Sequence, residues 1–360
     1  MARTPIHHIG LGLGRIRHWS DGLGEYSRQL GLALSAQAGE LMERHRIALH
    51  FHLPRRWHGE FGDAVGYLDT HTLQRWLHLR GARFALWHTL HQHNRLRAPR
   101  GTLRRVETVH DLNFLHSKTG PRIAQYRERL KRRLAGADAI VAISRYVAGD
   151  IERELGGLPA APRVIWNGAT DFSDRAQRAV AGLDDAPYLL HLSRMAPSKN
   201  IAALLDLAAA WPAQRLVLAG APSAYTADVQ RAIADQNLNN VRLLLEMTED
   251  QKAWLYAHCR GFLFPSLAEG FGLPPLEAMH FGKPVFLSRL TSLPEVGGDA
   301  ATYFDGFDGA AMRAVIEAGL AAHAEPGRAE AVMAHARQFS WQRCAAQYIA
   351  LYVGLLVAPP

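Results

Sequence analysis

The chain has 360 residues, 48% of them hydrophobic, which is more than one ordinary domain of about 100 to 200 residues and enough for two packed cores. Charged residues make up 21% and aromatic residues 9%, values of a globular protein that exclude a disordered chain, a collagen and a coiled coil. Basic residues exceed acidic residues by eight, 41 against 33, which favours an anionic partner: nucleic acid, a phosphorylated ligand or an anionic membrane face.

The spacing of the cysteines and the lengths of the apolar runs indicate in which cell compartment the protein is expected. Cys259 and Cys344 are far apart and belong to no CxxC or His/Cys cluster, which excludes a zinc ribbon, an iron–sulfur cluster and a disulfide framework and predicts two buried thiols. The longest apolar run, 348–357, is about half as long as a membrane-spanning helix. No apolar signal segment precedes the first glycines. We therefore predict a cytoplasmic protein.

Strand, polar turn and helix alternate along the first half of the chain. Short apolar runs that end in glycine, His-Asp, serine or Asn-Gly predict buried strands of a parallel sheet, and apolar residues at helical spacing predict helices between them. The predicted strands are 6–14, 108–110, 139–144 and 163–166, and the predicted helices are 26–34 and 122–134.

The same alternation restarts in the second half. Its predicted strands are 187–193, 215–220, 241–245, 261–264 and 284–288, and its predicted helices are 201–211, 227–236, 249–258 and 276–281. Two such sets predict two doubly wound α/β domains, with ligands beyond the carboxyl ends of the strands and in the cleft between the domains. The predicted division is an N-terminal domain over 1–174, a linker over 175–186, a C-terminal domain over 187–338 and a terminal helix over 339–360 that packs back on the first domain.

The densest motif is PSLAEGFGLPPLEAM, at 265–279. It follows an apolar strand, and its two prolines suit the first turn of a helix, where a missing N–H costs nothing. Glycines let backbone N–H groups approach a ligand closely, and a helix N-terminus adds about half a positive charge. Glu269 on the loop and Glu277 on the helix could therefore hold hydroxyl groups from two sides of the turn.

This stretch resembles the paired-glutamate motif, Glu-x7-Glu, of retaining GT-B-fold glycosyltransferases, in particular glycosyltransferase family 4. The resemblance covers nearly the whole chain, because further motifs follow in the family's order. They are Gly22-Leu23-Gly24-Glu25-Tyr26, Val109-His110-Asp111, Val141-Ala142-Ile143-Ser144, Asn167-Gly168, Ser193-Arg194-Met195 with Lys199-Asn200, and Gly282-Lys283-Pro284-Val285. It implies an α/β GT-B fold, two Rossmann-like parallel-sheet domains facing a cleft, and transfer of a hexose from a nucleotide diphosphate donor.

Site residues carry over from the resemblance at matching positions. Arg194 and Lys199 match the basic pair that holds the donor diphosphate, a role that suits preplaced cations because the leaving diphosphate gains negative charge. Glu277 matches the residue that binds the ribose hydroxyls, and Glu269 the residue that faces the transferred sugar. The backbone at 270–273 would bind the donor too, at the following residues: Gly270, Phe271, Gly272 and Leu273.

Three positions of the first domain also match. His110 corresponds to a histidine that lies against the donor sugar, although a histidine after a β-branched strand is equally a satisfied core residue. Gly22 and Gly24 match the loop that approaches the phosphates, and a turn with a helix cap is their structural alternative. The resemblance thus implies the catalytic residues His110, Arg194, Lys199 and Glu269.

Functions other than glycosyl transfer have weaker support in the sequence. Gly10, Gly12 and Gly14 follow a strand, but the spacing of a dinucleotide fingerprint fails after them. A nicotinamide-dependent oxidoreductase built on two Rossmann-like domains is the alternative enzyme. A catalytically silent nucleotide-sugar-binding subunit is a third possibility. His88, His91 and His93 come without a carboxylate cluster and no Asp-x-Asp is evident, so neither a metal nor a cofactor is predicted.

The sequence indicates the donor and the acceptor only as broad classes. EGFGLPPLEAM followed by SLPEVGGDAATYFD looks most like mannosyltransferases of bacterial surface-polysaccharide assembly, which suggests GDP-mannose and leaves UDP-sugars open. Leu245-Glu246-Met247 stands where the family usually has a glycine near the base. The expected acceptor is a glycan or a lipid-linked glycan, with no nucleic acid partner. Helix 122–133 is strongly basic, which fits either an anionic membrane surface, as a peripheral contact, or an ordinary solvated face.

Overall fold

The computed structural model describes residues 5–19, 21–77, 83–183 and 187–358. They form two compact units. The first unit contains the described residues up to Gly168 and those from Ser340 onward, and the second contains the described residues of Ala169–Phe339. In these described ranges, no helix combines the length and apolarity that crossing a membrane requires.

The first unit contains a seven-stranded parallel sheet in the order β3-β2-β1-β4-β5-β6-β7. Its elements up to β7 are β1 His7–Gly12, α1 Gly22–Ser35, α2 Ala38–His45, β2 Ile47–Leu53, β3 Gly66–Asp69, β4 Leu86–Thr89, β5 Arg104–Val109, α3 Phe114–Ser117, α4 Pro121–Leu134, β6 Ala139–Ala142, α5 Arg145–Leu155 and β7 Pro162–Val164.

The second unit contains a six-stranded parallel sheet in the order β10-β9-β8-β11-β12-β13. Its elements are β8 Tyr188–Leu192, α6 Ile201–Ala210, β9 Arg215–Gly220, α7 Thr226–Asp235, β10 Val241–Leu245, α8 Glu249–His258, β11 Gly261–Phe264, α9 Leu273–His280, β12 Val285–Ser288, α10 Leu293–Gly297, β13 Thr302–Phe304, α11 Gly309–His323 and α12 Arg328–Ala336. The order of the strands reverses between β8 and β11, and the loops after these two strands are where a doubly wound sheet places its ligand.

Central strands of both sheets are buried on both faces, which explains their continuous apolar sequences. Every residue of β8, β11 and β12 is buried. Two glycines of β1 serve this packing in the first unit, because a Cβ at Gly10 would come within 2.2 Å of the ring of Trp87 and a Cβ at Gly12 within 3.0 Å of it. The predicted buried thiols, Cys259 and Cys344, are both buried, and burial raises the pKa of each to about 12.

The last helix, α13 Trp341–Val357, belongs to the first unit and packs against α1. Two of its tyrosines enter a buried hydrogen-bond chain. Tyr348 lies 2.8 Å from the hydroxyl of Tyr26 and 3.0 Å from that of Thr108, and His88 joins Thr108 to Tyr352 with two contacts of 2.7 Å. These buried polar groups satisfy one another and fix the helix on the sheet.

The division of the chain differs in detail from the predicted one. Residues 169–174, placed by the sequence with the first domain, belong to the second unit. Side chains tie this stretch down, since Asp171 lies 3.4 Å from His280 and Arg175 lies 2.7 Å from Asp250. The described part of the predicted linker, 175–183, therefore runs along the second unit, while its residues 184–186 lie outside the described ranges.

Candidate functional site

The loops that follow β8 and β11 meet through the backbone carbonyl of Ser198. The hydroxyl of Ser266 donates to this oxygen at 2.9 Å, and the N–H of Leu267 donates to it at 2.8 Å. Because β8 and β11 are adjacent parallel strands, their carboxyl ends lie at one edge of the sheet. Two predicted site segments, around Lys199 and around Glu269, are thus joined at the point where the strand order reverses.

Lys199 and Glu269 form an ion pair at this junction. The ammonium group of Lys199 donates to Oε1 of Glu269, and Ser266 donates to the same oxygen at 2.7 Å. Only 19% of the Lys199 side chain and 12% of the Glu269 side chain are exposed, so both are largely removed from water. The ammonium also lies 5.3 Å from the ring centroid of Phe264. Because an ammonium has three donor hydrogens, this pair holds Lys199 in place and leaves hydrogens for a ligand.

The backbone of the glutamate loop is held by two hydroxyl residues that follow β12. The N–H of Glu269 donates to Oγ1 of Thr291 at 3.0 Å. The hydroxyl of Ser292 lies 3.1 Å from the carbonyl of Glu269 and 2.7 Å from that of Phe271. The loop is therefore fixed at both its backbone and its carboxylate before any ligand binds.

Gly272 makes the turn from this loop into α9. Its φ of 121° is a conformation that side-chain-bearing residues rarely adopt. A Cβ at this position would also come within 2.8 Å of Leu293, so a larger residue would displace the helix or the loop. Pro274 and Pro275 occupy the first turn of α9, as the motif predicted.

Glu277 points from α9 into the interior of the unit. Its carboxylate accepts a hydrogen bond of 2.7 Å from the hydroxyl of Tyr256, on α8, and only 7% of the residue is exposed. Burial, followed by the charge of Glu277, raises the pKa of Tyr256 well above its ordinary value, so the phenol stays protonated and remains a donor. A buried carboxylate held in this way is poised to accept further donors.

Arg194 follows β8 and is exposed. Beside it His191 is buried, and its Nδ1 donates to the carbonyl of Leu263 at 2.8 Å while its Nε2 lies 2.7 Å from the hydroxyl of Ser193. Burial, together with the charge of Lys199 and against the hydrogen bond to Leu263, lowers the pKa of His191 to about 4. His191 is therefore a neutral link between β8 and β11.

His110 lies in the first unit, directly after β5, and is buried. Its Nε2 donates to the carbonyl of Leu90 at 2.8 Å, and its backbone N–H donates to Oε1 of Gln92 at 3.0 Å. Tyr26 packs edge-on against its ring at 4.4 Å. Burial lowers the pKa of His110 to about 4, so the ring is neutral and its Nδ1 is the unprotonated nitrogen.

The two predicted phosphate-loop glycines begin α1 and have different surroundings. A Cβ at Gly24 would come within 2.5 Å of the carbonyl of His18, and its N–H donates to the capping carboxylate of Asp21 at 2.7 Å. No atom lies within 4 Å of a Cβ built on Gly22. Packing therefore accounts for Gly24, whereas Gly22 faces open space.

Sequence reasoning missed four side chains that hold the second-unit site. Ser266 could have been found from its position three residues before Glu269. Thr291 and Ser292 follow β12, which is the parallel neighbour of β11, so the rule that strand ends share one edge would have indicated them. Tyr256 carries no local signal, because it lies on a helix that does not adjoin the motif in sequence.

Known proteins are similar to this chain both in the sequence around the second-unit site and in the fold of nearly the whole chain. The family model described as Glycosyl transferases group 1 matches residues 173–317. The O-antigen chain mannosyltransferase B of Escherichia coli is 33% identical over 271 residues, which are 69% of this chain and 70% of that protein. The serotype-specific mannosyltransferase WbdA of Escherichia coli is 32% identical over 228 residues, 58% of this chain but only 28% of that protein. Sucrose-phosphate synthase of Thermosynechococcus elongatus has a similar structure, with a TM-score of 0.71 at 21% identity over 98% of this chain and 100% of that chain.

Proposed function

The chain belongs to the group 1 glycosyltransferase family, and on that premise we propose that it is a retaining mannosyltransferase of bacterial surface-polysaccharide assembly. The observation that carries the proposal is the Lys199–Glu269 pair, because Glu269 lies on the loop that leads into α9 and Glu277 lies on that helix. Relatives that are 33% and 32% identical are named mannosyltransferases, which supports mannose as the sugar.

Family membership also excludes one of the two alternatives that the sequence left open. The two parallel-sheet units confirm the predicted GT-B fold class. The nicotinamide-dependent oxidoreductase is wrong, because the chain is a member of a glycosyltransferase family. The glycines in and just after β1 that could suggest it have a packing explanation, since Gly10 and Gly12 make room for Trp87 and a Cβ at Gly14 would come within 2.9 Å of Asn94.

In the proposed reaction the second-unit site holds the donor. Lys199 and Arg194 bind the diphosphate, and the N–H groups at the start of α9 add positive potential. The bond between the anomeric carbon and the phosphate oxygen breaks, and a bond from the acceptor hydroxyl forms on the same face. The hydroxyl proton passes to an oxygen of the leaving diphosphate. Cations placed before the reaction stabilise this leaving group as its charge increases.

The donor assignment can be tested with purified protein. We expect GDP-mannose, rather than a UDP-sugar, to be consumed in the presence of EDTA, because Lys199 and Arg194 supply positive charge at the diphosphate. Calorimetry with GDP and UDP, followed by NMR of the product anomer, measures base preference and stereochemistry. A UDP preference would overturn the choice of donor, and an inverted anomer would overturn retention. Tight GDP binding without transfer to any acceptor would point to the silent subunit.

The two glutamates are expected to have different kinetic effects. Glu277, held by Tyr256 at the ribose side, contacts a part of the donor that changes little during reaction and so contributes uniform binding. We predict that Glu277→Gln raises the donor KM by about 10- to 100-fold, the scale of a hydrogen bond to a charged group, with a smaller change in kcat. Steady-state kinetics over donor concentration provide the measurement.

Tyr256→Phe provides the matched variant for this prediction. It keeps the Glu277 carboxylate but removes the hydroxyl that holds it at 2.7 Å. Its donor KM should lie between those of the unaltered protein and Glu277→Gln. If Glu277→Gln instead lowered kcat with no change in donor KM, Glu277 would act on the transferred sugar and the assignment to ribose would be wrong.

A further inference from the structure

A cavity of about 980 Å³ lies within the first unit. Its walls are the loop after β4, the residues after β5 and the helix α4. Among the residues that the structure describes, seven arginine and lysine side chains line it, against two acidic side chains. Such a surplus of cations around one concave surface favours an anionic ligand.

The two acids of the cavity are already engaged and neutralise little of this surplus. Glu107 accepts hydrogen bonds from Arg133 at 2.6 Å and from Thr89 at 3.0 Å, and its burial raises its pKa. Asp111 accepts the N–H of Asn113 at 2.9 Å. Arg133 also donates to the carbonyls of residues 92 and 94, so it is a fixed part of the wall.

Arg95 and Arg129 are two of the cations that this wall offers to a ligand. Both line the cavity and are exposed to it, and neither forms an ion pair within the described part of the chain. Burial lowers the pKa of Arg129, and the neighbouring charges of Arg95 and Arg133 lower it further, which shows that the like charges act on one another. Two guanidinium groups that repel each other across a cavity are stabilised when an anion binds between them.

From this geometry we propose that the cavity binds the phosphate or diphosphate group of a phosphorylated acceptor, in particular of a lipid-linked glycan. The inference rests on the proposed function, since it names the acceptor class of the same enzyme. Guanidinium groups match phosphate oxygens with paired hydrogen bonds. Phe114 and Tyr126, stacked at 5.8 Å on the cavity wall, offer an apolar surface next to the cations for the part of the acceptor that adjoins its phosphate.

The anion site can be tested without any sugar transfer. The probe is inorganic pyrophosphate, titrated calorimetrically into the Lys199→Ala protein so that the donor site contributes little. We expect Arg95→Gln with Arg129→Gln to weaken this binding by about 10- to 100-fold, as expected for lost hydrogen bonds to a charged ligand. The matched control is Arg122→Gln with Lys131→Gln, which removes the same charge from α4 at positions outside the cavity lining. Equal loss in both double variants would overturn the proposal.

A second arm identifies the source of the phosphate. With Lys199 intact, the Arg95 and Arg129 variant should raise the KM for a diphosphate-linked acceptor by about 10- to 100-fold and leave the KM of the same glycan without phosphate unchanged. An equal rise in KM for both acceptors would overturn the proposal.

Vesicles of phosphatidylglycerol and phosphatidylcholine test the membrane alternative. If both double variants lose vesicle binding equally and pyrophosphate does not bind, the cations form a membrane surface instead. Absence of any transfer by the unaltered protein would reject the proposed function, whereas the pyrophosphate result would still decide the cavity.

Discussion

Replacing Lys199 by alanine is expected to lower kcat by about 100- to 1000-fold, the effect of removing one preorganised electrostatic group from a transition state. The ammonium is paired with Glu269, on the loop that leads into α9, and both side chains are largely removed from water, where a charge acts more strongly. In the proposed reaction its contribution grows as the diphosphate leaves, so kcat should fall more than donor affinity.

Lys252 offers a matched control in the same unit. It lies 2.5 Å from Glu249 and 5.5 Å from the ring of Phe172, a setting that parallels Lys199 with Glu269 and Phe264. Lys252→Ala therefore removes a paired lysine over an aromatic ring without touching the proposed site, and its kcat should be unchanged. Circular dichroism checks that both variants fold. A folded Lys199→Ala protein with unaltered turnover would show that Lys199 takes no part in the reaction.

The ion pair adds a coupling that the sequence could not show. Because Glu269 holds Lys199, Glu269→Gln should disturb both the sugar contact and the position of the ammonium. The two substitutions should therefore be non-additive, with the double variant losing less than the product of the two single losses. A double-mutant cycle on kcat measures this coupling. Strictly multiplicative losses would mean that the two residues act independently.

Sequence predicted some elements of the fold well where apolar residues are concentrated or recur at helical spacing. Strands 215–220, 241–245 and 261–264 and helix 249–258 have the predicted bounds, since these patterns marked them. In the first unit β2, β3 and β4 went unrecognised. The sequences of β2 and β4, IALHFHL and LWHT, carry histidines that are buried through long-range hydrogen bonds, such as His52 with Gln74 and His88 with Tyr352.

Candidate site residues were predictable where a local motif marked them and not where the fold assembled them. The glutamate motif located α9 and its two prolines, although the helix begins at Leu273, three residues earlier than helical spacing alone suggested. The contacts of Lys199 with Glu269, and of Glu277 with Tyr256, join residues 70 and 21 positions apart. Such pairings depend on which strands and helices become neighbours, which a single motif does not encode.

The first unit is expected to lose stability at mild acidity before the second. Burial lowers the pKa of His52 and His110 to about 4 and that of His88 and His91 to about 3, whereas an unfolded histidine titrates near pH 6.5. Between these values the unfolded chain binds protons that the folded unit excludes. The free energy of unfolding therefore falls as pH decreases from about 6.5 towards 4, by up to about 1.4 kcal/mol per pH unit for each histidine.

Other titrating groups do not change which unit loses stability first as the pH falls. The raised pKa of Glu107 has the opposite sign, because the folded unit holds that proton more tightly, but it is one group against four. In the second unit the pKa of His191 is lowered to about 4 by burial, and those of His280 and His323 are lowered as well, the latter two in less buried settings. Fewer strongly buried histidines give the second unit the shallower pH dependence.

Hydrogen exchange read by mass spectrometry at pH 7 and pH 5, corrected for the intrinsic rate, resolves the two units separately. Amides of β1, β4 and β5 should lose protection at pH 5 by a larger factor than those of β8, β9 and β11. His91→Gln removes one of the excluded protons and should flatten the pH dependence of the first unit by up to about 1.4 kcal/mol per pH unit, even where it lowers stability at pH 7. His45→Gln, at an exposed position, is the control and should leave the dependence unchanged. Parallel loss of protection in both units would show that proton exclusion by the buried histidines of the first unit does not set its acid stability.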